Sequence, residues 1–449
     1  MKRFYSLFVL LAVVSGAFVS GATAQQQTAN NAADSAMEQK LRDLEDRVVM
    51  LEGELRQLKA QQQKPGESTT AGPVTPPSAA STQPKVTTEQ GATGYPPSGG
   101  ETIRLGGAGG GAGTALNPDI SVIGDFISGA GHNPVNPTPS FQMHESEIGL
   151  QAIVDPYARA DFFISFGETG VNLEEGFITF TALPKGFVAK AGKMRSAFGK
   201  VNTLHNHVLP WVDRPLVTQN LVGGEDGIND AGFSIQHIIP GPKNWFLEAT
   251  GQTFRGDSAD VFTSSKKNNL SVVGHLRGYK DLTDSTNLDL GVSYSRGHNQ
   301  FGTDFLTNLY GVDAIYRWKP LSRAIYKSFV ARSELVWRKQ DQPSLAECAL
   351  ISCPANIAFG NQRAFGFYAS ADYQFARRWF FGGRVDNSDR AINSRLNDKG
   401  GSLVLTYWPS EFAQVRGQYR FTRLAEHFDA NEVFIQLQFA LGAHGAHPF

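Results

Sequence analysis

Apolar and polar residues alternate in short segments from about residue 117 to the C-terminus, and turn signals separate these segments. Long connections are predicted over residues 200–230, 257–267, 299–306, 341–362 and 388–399, mostly after odd-numbered strands. Short turns at one rim and long loops at the other are typical of outer-membrane barrels. We therefore expect an all-β fold over residues 117–449, a transmembrane antiparallel β-barrel of about 16 strands. Strands are expected to begin near residues 119, 144, 157, 170, 186, 231, 244, 268, 286, 307, 327, 363, 378, 400, 412 and 431.

The charged residues predict which face of each strand is turned inward. An Arg or Lys on the lipid face at the bilayer centre costs about 2–4 kcal/mol, so charged positions should face the lumen. Such a polar interior predicts a water-filled path, although any one of these residues could instead form a pair that braces the wall. The predicted pore-lining residues are Arg159, Asp161, Asp313, Arg317, Arg332, Glu334, Arg338, Arg384, Arg416, Arg420, Gln436 and Gln438.

The first 24 residues have the pattern of a secretory signal peptide. Lys2 and Arg3 precede an apolar core over residues 4–19, and small residues at 22–24 offer a cleavage site. A membrane-spanning helix is the alternative, but it needs about 20 apolar residues. Export to the bacterial outer membrane is therefore expected, with the segment that follows the signal in the periplasm.

Residues 25–62 carry an apolar heptad seam that predicts a short α-helical coiled coil. The flanking charges pair with opposite sign and favour parallel self-association, and the alternative is a single amphipathic helix docked on the barrel. Residues 63–116 are rich in Pro, Gly and Ser and predict a flexible linker. The expected partners are the lipid bilayer, small solutes and two further copies in a homo-trimer formed through the coiled coil and the barrel. The seam positions are Met37, Leu41, Leu44, Val48, Leu51, Leu55 and Leu58.

Composition narrows the classes of function. A formal net charge of -1 gives no reason to expect a nucleic-acid partner, which would need a clustered basic face. The two cysteines, Cys348 and Cys353, predict a loop disulfide in an oxidising compartment, with a metal pair as the alternative. No G-x-S-x-G turn or phosphate-binding glycine loop occurs in a suitable context, so we expect neither an enzyme nor a cofactor.

The connection over residues 200–230 is the third outer loop by strand count and carries the main candidate chemistry. In sixteen-stranded porins the corresponding loop folds inward and constricts the pore. Its residues could line a constriction, or its two histidines could bind a metal ion such as zinc together with a carboxylate. Solvated loop histidines are the alternative. The candidate residues are His205, His207, Asp213, Arg214, Glu225 and Asp226.

The C-terminal tail is a second place where metal could bind. His444 and His447 form a loose pair at the expected periplasmic end. The final residue, Phe449, matches the terminal aromatic that barrel-assembly machinery reads in outer-membrane proteins.

Several segments together resemble a family labelled zinc-regulated TonB-dependent outer-membrane receptor. These segments are residues 119–126, 154–161, 198–205, 213–215 and 444–449, and the likeness covers residues 117–449. The resemblance implies zinc or another metal ion as the transported solute. More distantly, a coiled coil ahead of a barrel and the segment 191–199 are similar to phosphate-selective porins.

These patterns favour a porin-like channel for the passive diffusion of small hydrophilic solutes, which could include metal ions such as zinc. One alternative is a metal receptor of the TonB-dependent type. Another is an envelope-tethering protein in which the barrel serves only as an anchor. A barrel hydrolase is the remaining alternative.

Overall fold

A computed structural model describes residues 118–167, 170–258, 260–264, 266–351, 353 and 357–442. Within them sixteen antiparallel strands pair in sequence order, and β1 pairs with β16 to close a barrel. The predicted all-β barrel of about 16 strands is confirmed. The strands are β1 Asp119–His132, β2 Phe141–Asp155, β3 Ala158–Gly167, β4 Gly170–Phe180, β5 Val188–Arg195, β6 Asn229–Ile239, β7 Phe246–Phe254, β8 Ser271–Thr283, β9 Thr286–Asn299, β10 Gly302–Trp318, β11 Ser328–Gln340, β12 Gln362–Ala376, β13 Trp379–Arg390, β14 Asn393–Ser410, β15 Ala413–Arg423 and β16 Asp429–Gly442.

Helical structure in the described residues is confined to the connections. Helix α1 spans Leu216–Leu221 and helix α2 spans Leu345–Ile351, and short 3-10 turns occupy Pro184–Gly186, Val201–Thr203 and Asn206–Val208. None of the described helices has the length and apolarity needed to cross a lipid bilayer. The predicted signal peptide, coiled coil and linker lie outside the described residues, as do His444, His447 and Phe449.

Two of the predicted long connections are wrong. β9 ends at Asn299 and β10 begins at Gly302, while β13 ends at Arg390 and β14 begins at Asn393, so both connections are tight hairpins. In these stretches the backbone pairing continues where both strand faces are polar, as at Asp389 opposite Asn397. The alternation of apolar and polar residues therefore ends before the strand itself ends. The connections over residues 196–228, 255–270 and 341–361 are long, and the last contains the Cys348–Cys353 disulfide with a Cα–Cα distance of 5.2 Å.

Burial alternates along the strands with the polar residues inside. On β16 Val433, Ile435 and Leu437 are between 44% and 51% exposed. Gln436 is 1% exposed and Gln438 is 5% exposed. Large apolar side chains are exposed in the same way along the other strands. The barrel thus has an apolar outer surface and a polar inner wall.

Residues 196–228, which connect β5 to β6 and are here called the inserted segment, fold into the barrel. Phe198, Leu209, Trp211, Leu221 and Ile228 are at most 1% exposed. They belong to one apolar cluster with inward-facing strand residues, and helix α1 lies against β11 to β14. The largest buried apolar cluster of the described residues therefore sits inside the lumen. Its members on the wall include Val336, Ala364, Tyr368 and Val404.

Candidate constriction and metal site

Three groups of wall residues hold the inserted segment across the lumen. The first group lies on β9 to β11, near the start of the segment. One carboxylate oxygen of Glu334 accepts hydrogen bonds from the backbone N–H groups of Lys200 and Val201, each at 2.7 Å. The Lys200 ammonium lies 3.3 Å from Asp289 and 3.7 Å from Asp313. These contacts pin the first turn of the segment to one side of the barrel.

The second group lies on β13 to β16, where the wall is rich in arginine. Asp213 Oδ2 lies 2.9 Å from Arg384 Nη2 and 2.9 Å from Arg420 Nη1, and Gln418 donates to Oδ1. The carbonyl of Trp211 accepts a hydrogen bond from Arg416 at 3.2 Å. Burial alone would raise the pKa of Asp213, but the two guanidinium groups outweigh it and hold that pKa well below its usual range.

The third group is acidic and lies on β2 and β4. His205 Nδ1 is 2.8 Å from Glu147 Oε2 and 3.1 Å from Glu174 Oε2, and its Nε2 is 2.8 Å from Glu175 Oε2. Burial disfavours the imidazolium, yet the hydrogen bonds that it donates to these three carboxylates raise the pKa of His205 well above its usual value. Arg195 Nη2 pairs with Glu174 at 2.9 Å.

Two β-bulges explain how consecutive residues reach this site. In β2 the register passes from Glu145, opposite Asp125, to Met143, opposite Phe126, so His144 is the extra residue. In β4 the register passes from Glu175 to Leu173, so Glu174 is the extra residue. A bulge re-aims side chains that strict alternation would send to opposite faces. As a result Glu174 is 6% exposed although Glu175 beside it also contacts His205.

Four side chains beside the acidic wall of β2 and β4 have the composition of a metal site. Glu145, Glu147, His205 and His207 are all buried, and each offers a ligand atom within 4.8 Å of the others. His207 Nδ1 is 3.8 Å from Glu147 Oε2, and the two imidazole rings are 5.6 Å apart between centroids. The carboxyl group of Glu145 lies close to those of Glu147 and Glu174. The expected association of both histidines with a carboxylate is therefore present in the geometry.

Arg214, another candidate of the inserted segment, is not one of the four side chains with the composition of a metal site. Arg214 is 2% exposed and braces the segment internally, donating to the carbonyls of Val201 and Leu204 and to Asn206 Oδ1. Burial lowers the pKa of Arg214 to about 9. The sequence predicts Arg214 as a lining residue of the constriction, and its burial within the segment contradicts that placement.

Glu225 and Asp226 lie where the segment returns to the wall, and both are exposed. Glu225 Oε1 is 3.1 Å from His144 Nε2, and this hydrogen bond lowers the pKa of Glu225. Glu225 and Asp226 both offer their carbonyl oxygens to the guanidinium of Arg195.

The predicted pore-lining residues lie on the inner wall, but many of them are engaged. Arg338 donates to the carbonyls of Leu221 and Asp260. It therefore holds the inserted segment and the connection over residues 255–270 and does not face open solvent. Gln438 donates to the carbonyl of His207 at 3.0 Å. Others pair with neighbouring residues of the barrel wall: Arg159 with Asp161, Arg317 with Asp289, Arg332 with Asp372, Arg384 with Asp386, Arg416 with Gln436, and Arg420 with Glu432.

Sequence reasoning misses the acidic side of the site. Glu145, Glu147, Glu174 and Glu175 are not among the residues predicted from the sequence. Glu174 and Glu175 are adjacent, and adjacent residues in a regular strand face opposite sides. A run of acidic residues in two strands that are close in sequence is the available signal. A cavity remains between the inserted segment and the opposite wall, lined by Leu204, Trp211, Arg317, Arg332 and Tyr368.

No known family profile matches the chain. A protein of Aquifex aeolicus without assigned function is 27% identical, and the alignment covers 75% of this chain and 80% of that protein. Among solved structures the chain is similar to an anion-selective porin from Comamonas acidovorans, with 10% identity, a TM-score of 0.49, and coverage of 72% of this chain and 99% of that one. It is also similar to the outer-membrane channel DcaP of Acinetobacter baumannii, with 12% identity, a TM-score of 0.47, and coverage of 72% and 96%. The assignment of the fold rests on the strand pairing of the chain itself.

Proposed function

We propose that this protein is an outer-membrane channel for the passive diffusion of small hydrophilic solutes, and not an enzyme. The observation that carries the proposal is the inverted burial pattern, with a closed barrel that is apolar outside and polar inside. A soluble protein rarely exposes contiguous apolar surface of more than a few hundred Å². A closed barrel satisfies its strand backbone internally, which a lipid environment demands.

The inserted segment narrows the proposed path. It crosses the lumen between the acidic wall of β2 and β4 and the arginine-rich wall of β13 to β16. A small solute would pass between this segment and the wall, where groups of both signs are present. Such mixed charge favours weak selectivity between anions and cations.

Metal ions such as zinc are the finer hypothesis for the solute. The acidic side of the constriction favours it, since buried carboxylates attract divalent cations. A homo-trimer assembled through the barrel and the expected coiled coil is part of the same proposal. It rests on the heptad seam of residues 37–58.

The rival functions make different demands on the barrel. A plugged transporter of the TonB-dependent type is built on a 22-stranded barrel, whereas this barrel has sixteen strands. An envelope tether would use the barrel as an anchor and would not need a path through it.

Single-channel conductance of the purified full-length protein in planar bilayers tests the proposal. We expect stable conductance steps, in groups of three if the protein is a trimer, and a change in the steps with micromolar zinc if zinc enters the path. A variant lacking residues 25–116 should keep its conductance, which separates a channel from a tether. Silent bilayers under all conditions would refute the channel.

A further inference from the structure

We propose that the barrel holds a divalent transition-metal ion between β2 and the inserted segment, with four ligands: Glu145, Glu147, His205 and His207. The ion would be a resident of the protein, distinct from any solute in transit. The binding site does not depend on the proposed channel function. Its consequence for transport does, because the ion would tie the constricting segment to the wall.

The donor set matches such an ion. Two imidazoles and two carboxylates suit zinc and its neighbours in the first transition row better than calcium or magnesium, which take oxygen ligands. In a tetrahedral site with bonds of about 2.0–2.1 Å, donor atoms lie roughly 3.3 Å apart. Glu147 Oε2 lies 2.8 Å from His205 Nδ1 and 3.8 Å from His207 Nδ1, which brackets that separation.

The burial of Glu145 is a separate observation that points to a cation. Glu145 is 6% exposed and lies close to the carboxyl groups of both Glu147 and Glu174. Carboxyl groups buried this close together cannot all be ionised without a compensating cation. A metal ion at this position would compensate the charges of Glu145 and Glu147 together.

The surroundings of His205 also suit a ligand. Its Nδ1 faces Glu147, while its Nε2 lies 2.8 Å from Glu175 Oε2 on the opposite side. Metal-bound histidines usually donate their other ring N–H to a carboxylate, which fixes the tautomer and the ring orientation. Phe163 packs against the same ring at a centroid distance of 5.1 Å and limits its rotation. Glu175 is thus a positioning residue for His205.

The ligands come from two parts of the chain, and this gives the ion a mechanical role. Glu145 and Glu147 belong to β2, whereas His205 precedes and His207 lies within the 3-10 turn Asn206–Val208 of the inserted segment. An ion shared between them would restrict movement of this part of the segment away from the wall. We expect bound metal to stabilise the narrowed state of the lumen.

The test uses the full mature chain, purified without an oligohistidine tag and stripped of metal by a chelator. Zinc is titrated by calorimetry into the wild type and into H205A/H207A. The wild type should bind one more zinc ion per chain than the double variant. H275A is the matched control, because His275 is a buried lumen histidine that contacts Ser293 and lies outside the cluster. It should bind zinc like the wild type, and every variant retains His444 and His447.

Two conservative variants keep the test decisive if the double variant fails to fold. E175Q should weaken zinc binding by about 10–100-fold, as expected for loss of a carboxylate that orients a ligand. E145Q removes an oxygen ligand at nearly constant shape and should weaken binding by about 10-fold or more. Equal affinity in the wild type, E145Q and E175Q would overturn the site, as would equal zinc uptake by H205A/H207A.

Conductance of the same preparations separates this inference from the proposed function. Zinc should lower the frequency of large openings in the wild type, a chelator should reverse the effect, and H205A/H207A should not respond. Zinc binding that depends on the cluster in a silent barrel would keep the site and refute the channel. A conducting barrel without such binding would keep the channel and refute the site.

Discussion

Replacing Asp213 by asparagine should release the inserted segment from the arginine-rich wall. Asp213 Oδ2 is 2.9 Å from both Arg384 and Arg420, and the side chain of Arg384 is only 1% exposed. The D213N side chain would keep an acceptor oxygen but lose the charge that both guanidinium groups face. Leaving a buried charge without any partner costs about 3–5 kcal/mol. Arg384 keeps Asp386 and Arg420 keeps Glu432, so we expect the smaller cost of losing charged hydrogen bonds, about 1.5–3 kcal/mol.

A cost of about 1.5 kcal/mol corresponds to a change of about 10-fold in the ratio of docked to released segment. The contacts of Glu334 and of His205 with the segment remain, so we expect local release around Trp211 and helix α1 and not complete withdrawal. Single-channel recording should show more frequent and larger openings in D213N than in the wild type. Reversible urea unfolding in lipid vesicles should show the loss of stability.

D372N is the matched control, because Asp372 is 14% exposed in its side chain, close to the 15% of Asp213, and pairs with Arg332 of the neighbouring strand. It should lower the stability of the barrel without raising the frequency of large openings. Identical channel traces from D213N and D372N would refute the idea that the Asp213 contact holds the constriction.

Three further predictions concern pH, the loop entry and the outer surface. The lowered pKa of Asp213 stabilises docking at all pH values above the usual carboxyl pKa of about 3.9, and this stability is lost as the pH falls through the lowered value; the wild type should therefore gain openings only in strong acid, and D213N should lack this transition. Gly199 has φ +63 and a Cβ there would lie 2.7 Å from Glu334 Oε2, so G199A should cost about 1–2 kcal/mol or more in unfolding free energy, whereas G417A, with open space around it, should not. L437R on the outer face of β16 should cost about 2–4 kcal/mol in urea unfolding from lipid vesicles, and a cost as small as that of L437M would contradict the assignment of this face to lipid.

The alternation of apolar and polar residues determined the strand number, the closed barrel and the inward faces of most charged side chains. On β16 it separated Gln436 and Gln438 from Val433 and Ile435 without any structure. Charge and turn residues also marked the connection over residues 200–230 as unusual. These features follow from local rules, because a strand has a period of two and lipid penalises outward charge.

Only the tertiary structure decided which residues meet across the lumen. Asp213 contacts Arg384 and Arg420, which lie 171 and 207 positions further along the chain, and no local pattern encodes that pairing. The bulges at His144 and Glu174 interrupt the alternation from which the strand faces are predicted. Without them, Glu174 and Glu175 could not both contact His205. The sequence by itself therefore determined the barrel, whereas the site depended on an insertion and two register shifts whose energies arise from packing inside the closed wall.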